Sequence, residues 1–257
     1  MATLESILEG DPLVALIDQV ILEEHEREPP RHYLGASSIG DECSRKLWYR
    51  YNGHKEKFDA KTLRRFADGH RTEEVVLGWL RNCKSIELYN ARNLEDGLPS
   101  FKRHTGSETD ISIDQIGFSS FDGKFAGHYD AIGRGFPQAP KTWHIVEVKC
   151  VNEKAFEELK KLKSKNEKTA IELWKPEYFS HVQVYMHMEK LTRSIHIVTT
   201  PGTRDLISVR TDYNKTHAEA MLAKAKRIID AKEPLERIGG PTFYKCKMCS
   251  FKEICHG

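Results

Sequence analysis

Between residues 60 and 81, Phe66, His70, Glu73, Leu77 and Leu80 recur at i, i+4, i+7, i+11 and i+14. That spacing lays them on one face of a helix. The stripe is mostly apolar, so Glu73 is its odd member, while Glu74 points elsewhere and reads as solvated. A second period runs through "HIVEVKC" (144–150), where alternate side chains share one face of a strand. Ile145, Glu147 and Lys149 point one way. Val146, Val148 and Cys150 point the other way, into packing.

The remaining elements follow from caps, turn residues and shorter runs. Asp11-Pro12 reads as an N-cap followed by proline at the first helical position, opening a helix to about Arg27. "EPPRHYLGASSIGDE" (28–42) carries turn signals and reads as a loop. "CSRKLWYRYNG" (43–53) reads as a short helix ending at Asn52-Gly53. Strands are expected at Ser85–Tyr89, Phe101–Thr105, Ile111–Ile116, Phe118–Phe121, Gly123–Gly133 and Trp143–Cys150. Helices follow at about 153–166 and 177–191, then strands at Ser194–Thr199 and Leu206–Thr211, then a helix at about 214–231. The fold class is α/β: a mixed central sheet flanked by helices, with the cysteine-rich tail outside it.

Composition narrows the setting. The chain has 257 residues, 39% hydrophobic and 30% charged, which suits a soluble globular protein of one large domain or a domain with an appendage. No apolar run approaches the ~20 residues of a membrane span, so no membrane is expected. The acidic start "MATLESILEGDP" lacks a basic segment leading into an apolar one, so an intracellular, cytoplasmic setting is expected. There, six cysteines read as thiols or metal ligands rather than disulfides. A net charge of +2 argues against a polybasic coat but allows a local basic groove. Candidates are "KEKFDAKTLRR" (55–65) and "KKLKSKNEK" (160–168), for which a solvated helix face is an equal reading.

The candidate chemistry starts at Glu147 and Lys149. A carboxylate and an ammonium two residues apart on an apolar strand are expensive to bury without partners or a task. A cross-strand ion pair is one answer. Another comes from the turn around "GFPQAPK", which returns the chain antiparallel and sets Asp130 near Glu147. Two carboxylates converging with a lysine suggest a divalent-cation site, for which Mg²⁺ prefers oxygen ligands. Glu73 would add a third acid, unless it is a partly exposed boundary residue.

The order of motifs resembles the PD-(D/E)XK nuclease superfamily. Gly69-x-x-x-Glu73 on a helix, Gly127-x-x-Asp130, Glu147-x-Lys149 and the helix segment "YFSHVQVY" are similar to the RecB-like and lambda-exonuclease-like branch, over about residues 35–257. The resemblance implies a restriction-endonuclease-like core over 35–240, preceded by an N-terminal helical segment at 1–34. It implies that Glu73, Asp130, Glu147 and the Val148 carbonyl hold Mg²⁺ or Mn²⁺, and that Lys149 activates water. The chain departs from the family at the last motif, where glutamine is followed four residues later by tyrosine. Tyr185 fits the tyrosine, but His181 stands at the glutamine position and Gln183 lies two residues on. Either His181 has taken over that role beside Tyr178 and Tyr185, or the helix is rotated so that Gln183 faces the site. A buried structural histidine is the plainer alternative.

The tail 241–257 carries Cys246, Cys249 and Cys255, three thiols of an incomplete tetrahedral set. Iron–sulfur members of the superfamily, the CRISPR-associated RecB-like exonucleases and the AddB helicase–nuclease subunit, carry one cysteine before the core and C-x2-C-x5-C after it. The resemblance therefore pairs the tail with Cys43 and implies a [4Fe–4S] cluster joining the N- and C-terminal segments. Four thiolates also suit Zn²⁺, which could recruit His256. Cys83 reads as a buried or boundary thiol, and Cys150 as a packing residue behind the active strand. The implied function is metal-dependent hydrolysis of DNA, single-stranded or at a duplex end, with a helicase or recombination partner possible. Arg45, Lys46, Trp48 and Tyr49 could contact a strand or stack on a base, packing being the alternative for Trp48. The rivals are a non-cutting DNA- or helicase-binding module and a zinc-stabilised endonuclease.

Overall fold

The computed structural model describes residues 11–29, 31–89 and 116–257. The expected strand Phe101–Thr105 and most of Ile111–Ile116 lie outside them. Among the described residues, no helix is long and apolar enough to cross a membrane.

The first helix, α1 (Pro12–Arg27), starts where the cap signal places it: Asp11 accepts from the amides of Leu13 and Val14. The loop after it is less irregular than expected. It contributes a two-residue strand, β1 (Leu34–Gly35), and a 3-10 turn at Ala36–Ser38. Helix α2 (Ser44–Tyr51) follows, capped by the Cys43 sulfur, and then α3 (Ala60–Asn82), capped by Asp59. The predicted stripe on α3 is buried only in its second half. Val76 and Leu77 pack, whereas Phe66 is 47% exposed and His70 is open to solvent. The first half instead meets α1 through the Arg64–Asp18 pair and a Phe58–Phe66 ring contact beside His25. Cys83, expected at a boundary or buried, is exposed, because α3 ends there at the surface.

Two sheets form the centre. The smaller contains β1, β3 (Gly117–Ser120) and β4 (Phe125–His128) in the order β1-β4-β3. The larger contains β2 (Glu87–Tyr89), β5 (Ala131–Arg134), β6 (His144–Cys150), β7 (Arg193–Thr199) and β8 (Leu206–Asp212), in the order β2-β5-β6-β7-β8. β6 and β7 are parallel, and the other neighbours in this sheet are antiparallel. The single strand expected over Gly123–Gly133 is thus two strands in two sheets. The chain crosses between them at Tyr129–Asp130. Just before it, Gly127 lets β4 pack closely on Tyr185 and Ala36: a β-carbon there would stand 2.7 Å from the Tyr185 ring and 2.8 Å from the Ala36 side chain.

Helices cover both faces of the larger sheet. α3 packs Val76 and Leu77 against Val146, Val148, Ile195 and Ile197. After β6 come α4 (Glu153–Lys165) and a helix the sequence reading missed, α5 (Glu167–Trp174). Their Phe156, Leu159, Ile171 and Trp174 pack on Val198 and Val209. Helix α6 (Pro176–Glu189) is buried along most of its length, with Val182, Val184 and Tyr185 against Ile145 and Tyr129. Helix α7 (Lys215–Asp230) lies beside α6 and α2. The tail forms α8 (Tyr244–Lys247) and α9 (Lys252–His256). Phe251, between them, is buried in the main core against Tyr49.

Candidate functional site

The register of β5 and β6 pairs Ala131 with Val146, which brings the neighbouring Asp130 beside β6. Asp130 Oδ2 accepts from the Val148 amide at 2.6 Å. On β6, Lys149 Nζ donates to Glu147 Oε2 at 2.7 Å and to the Val148 carbonyl at 3.0 Å, and it stands 3.7 Å from Asp130 Oδ2. The ammonium therefore sits where three oxygens converge. α6 closes the other side: His181 Nε2 is 3.4 Å from Glu147 Oε2, and the Tyr178 ring centre is 5.9 Å from the ammonium. The His181 ring lies between those of Tyr178 and Tyr185.

Electrostatics follow from this packing. Glu147 is 3% exposed. Burial would raise its carboxyl, but Lys149 and His181 outweigh burial and hold it down to about 2. Asp130 has the opposite balance: burial and the Glu147 charge push it well up, and Lys149 offsets only part of this. Burial would lower Lys149, but the two carboxylates push it up, so it stays charged. Glu73 is half-buried on α3 and is raised by burial; Lys149 acts against this and Glu147 adds to it. Glu74 is exposed. Glu73, Asp130, Glu147, Lys149 and His181 thus share one electrostatic neighbourhood. Tyr185 is fully buried beside them, pushed up by burial and by the charges of Glu147 and Asp130. Gln183 lies elsewhere. Its amide donates to the Asp212 carbonyl at 3.0 Å, and its oxygen accepts from the Asn214 amide at 2.6 Å. It fastens α6 to the β8–α7 connection.

The sequence reading missed His196. It stands on β7 opposite Glu147 and is 0% exposed. Burial pulls its pKa down to about 3. The signal was the polar alternation Ser194-x-His196 in an otherwise apolar strand. Its partner could not be known without the parallel register.

All four cysteines expected to act together line one cavity of about 580 Å³. Cys43 caps α2, Cys246 is buried, and all six cysteines of the chain are unpaired. The Cys43 thiol is pushed up by burial, with nearby Asp41 and Cys249 adding to that. His256 lines the same cavity, and its Nε2 is buried without a hydrogen-bond partner. Among the described residues, no three His, Cys, Asp or Glu side chains stand close enough to enclose an ion as they are placed. The residues expected to contact DNA here are engaged internally. Trp48 donates to the Ala231 carbonyl, Arg45 to Pro234 and Leu235, and Lys46 to Asp41. In the basic segments, Lys61, Arg65, Lys161 and Lys165 are exposed.

No family model matches the chain, and no curated protein matches it. Among solved structures it is similar to SSO0001, with 14% identity and a TM-score of 0.50 over 95% of this chain and 96% of the other. That likeness concerns the fold. An alkaline exonuclease from Laribacter hongkongensis, LHK-Exo, is similar at 11% identity and a TM-score of 0.47, over 82% of this chain and 90% of that one. The same enzyme in complex with dAMP gives 11% and 0.46, over 77% and 86%.

Proposed function

We propose that the protein is a metal-dependent DNA nuclease that cuts phosphodiester bonds from an end. The observation that carries this reading is the meeting of Asp130 Oδ2, Glu147 Oε2 and the Val148 carbonyl on one point, where the Lys149 ammonium stands. A point that attracts one cation suits another. Glu147 Oε1 is also buried without a hydrogen-bond partner, so the donor set has spare capacity. These three groups, with Glu73 nearby, would hold Mg²⁺ or Mn²⁺. The bound ion would neutralise phosphate charge and make water a better nucleophile.

The rest of the work falls to the chain's own residues. Lys149, held in its charged form, orients the attacking water by donating to it. His181 fixes Glu147 and donates toward the phosphate. Tyr185 and Tyr178 wall the site and exclude bulk water. Exposed Lys61, Arg65, Lys161 and Lys165 offer phosphate contacts, so binding should be insensitive to sequence and steeply salt-dependent.

Cys43, Cys246, Cys249 and Cys255 would hold a [4Fe–4S] cluster. Their gathering around one cavity supports this, and an all-thiolate donor set suits it. His256 in the same wall favours a second reading, zinc held by three thiolates and an imidazole. The deciding experiment incubates the protein with end-labelled single- and double-stranded DNA, linear and circular, with and without Mn²⁺. Mn²⁺-dependent loss of linear but not circular DNA is expected. No cutting under any condition would leave a binding module.

A further inference from the structure

Glu147 and His196 are direct partners in the parallel β6–β7 ladder, so their side chains stand side by side on one sheet face. His181 Nε2 is 3.4 Å from Glu147 Oε2, and its ring centre is 6.3 Å from that of His196. These three side chains are at most 3% exposed. They share a second property. Neither nitrogen of His196, nor His181 Nδ1, nor Glu147 Oε1 has a hydrogen-bond partner, while His181 Nε2 has only Glu147 Oε2, at 3.4 Å. Four such atoms fall on three neighbouring buried side chains.

Each such atom costs about 1–3 kcal/mol. The sequence around His196 shows what a purely structural strand would carry there: Ile195 and Ile197 flank it, and Val198 follows on the same face. An apolar residue at 196 would pack without that cost. A ring-centre separation of 6.3 Å is too wide for a direct bond between the imidazoles and is a span that one bridging water can close. A buried water typically makes about three hydrogen bonds to groups otherwise unsatisfied. A neutral imidazole offers one donor and one acceptor, and a carboxylate oxygen accepts. The three side chains present the set that a single water needs.

We propose that His196 is a positioning residue of the cutting site, holding Glu147 and His181 at fixed separation through a hydrogen-bond relay closed by one buried water. The inference rests on the nuclease reading. Such supporting partners of metal-site residues typically contribute about 10- to 100-fold in activity.

The test compares wild type, His196→Phe and His196→Gln, all as the full metal-replete chain, on end-labelled DNA with Mn²⁺. Phenylalanine fills the space but offers no polar atom. Glutamine keeps a donor and an acceptor. For His196→Phe, kcat should fall about 10-fold or more and KM should stay near wild type, both read at a temperature where the variant is fully folded. His196→Gln should recover most of the lost kcat. A purely structural histidine gives another pattern, in which both variants lose melting temperature and activity follows it. That pattern, or a His196→Phe that cuts at the wild-type rate, overturns the proposal and leaves the nuclease reading intact. A wild type that does not cut at all overturns the nuclease reading itself.

Discussion

Replacing Lys149 with methionine tests the cation point directly. The substitution keeps the length of the side chain and its packing but removes the ammonium that lies 2.7 Å from Glu147 and 3.7 Å from Asp130. Glu147 is then a buried carboxylate with only His181 against it. Breaking a buried pair in this way costs about 3–5 kcal/mol. At roughly 2–4 °C per kcal/mol for a chain near this size, melting in EDTA should fall by about 10 °C. Mn²⁺ should then restore more stability to the variant than it adds to wild type. In wild type the ion must displace the ammonium, whereas in Lys149→Met the oxygens are free. At about a hundred times its dissociation constant the ion returns about 2.7 kcal/mol. The assay is a thermal melt of both proteins in EDTA and in a Mn²⁺ series, beside a cleavage assay. Lys149→Met should melt low without metal, recover with it, and still cut about 10²-fold more slowly. Equal Mn²⁺ shifts in the two proteins would refute the claim that ammonium and ion share one point, as would a variant that cuts at full rate.

Asp130→Asn should raise the melting temperature in EDTA while abolishing cutting, because burial beside Glu147 opposes the charge on this carboxyl. His181→Ala should cripple cleavage and His181→Gln should retain a substantial fraction. Gln183→Ala should instead lower stability by about 2 kcal/mol with kcat preserved in the folded protein, since it leaves the Asn214 amide unpaired. Iron and sulfide should be found after anaerobic preparation and fall in Cys43→Ser; stoichiometric zinc without iron would sink the cluster. His196 should make the metal-free wild type more sensitive to acid than His196→Phe. His196 takes a proton at about 6.5 when unfolded but only at about 3 when folded, so the unfolded state binds more protons between these values and stability falls as pH falls. From pH 7.5 to 5.0 this is about 2 kcal/mol, read in denaturant unfolding as the difference between wild type and His196→Phe, because the raised carboxyls of Asp130 and Glu73 act in the opposite sense in both.

Much of the fold was legible because its signals are local. Asp11-Pro12 fixed the start of α1, and the alternation of "HIVEVKC" fixed which residues of β6 face Asp130. What was not legible depends on distant partners. The pattern runs unbroken through Gly123–Gly133, and only the change of sheet at Tyr129–Asp130 divides it. Asn166 looked like one more polar residue in a charged run. In the fold it ends α4 and caps α5 by accepting from the Lys168 amide, in an extended conformation at φ −161°. The Glu147–Lys149 pair could be read from spacing alone. His196 could not, because a parallel pairing is set by the crossover between β6 and β7 rather than by a turn.

The segment around Cys43 and the C-terminal tail meet through more than their cysteines, and this limits what a cluster would do. Trp48 and Arg45 donate to the backbone at 231–235, Tyr49 to Ile254, and Phe251 packs on Tyr49. Lys224 on α7 donates to the carbonyls of Ile39 and Asp41, on either side of Gly40. The joint is therefore closed by polar and apolar contacts that no metal makes. Gly40 is pressed against the first turn of α6: a β-carbon there would stand 2.5 Å from Glu177 Cα. Glu177 lines the cysteine cavity, and the next residue, Tyr178, stands over Lys149. A cluster in that cavity would add little to a closure already made. It would instead firm the wall behind the first turn of α6, the turn that delivers Tyr178 and leads into His181. Its loss should therefore be felt in catalysis before it is felt in folding.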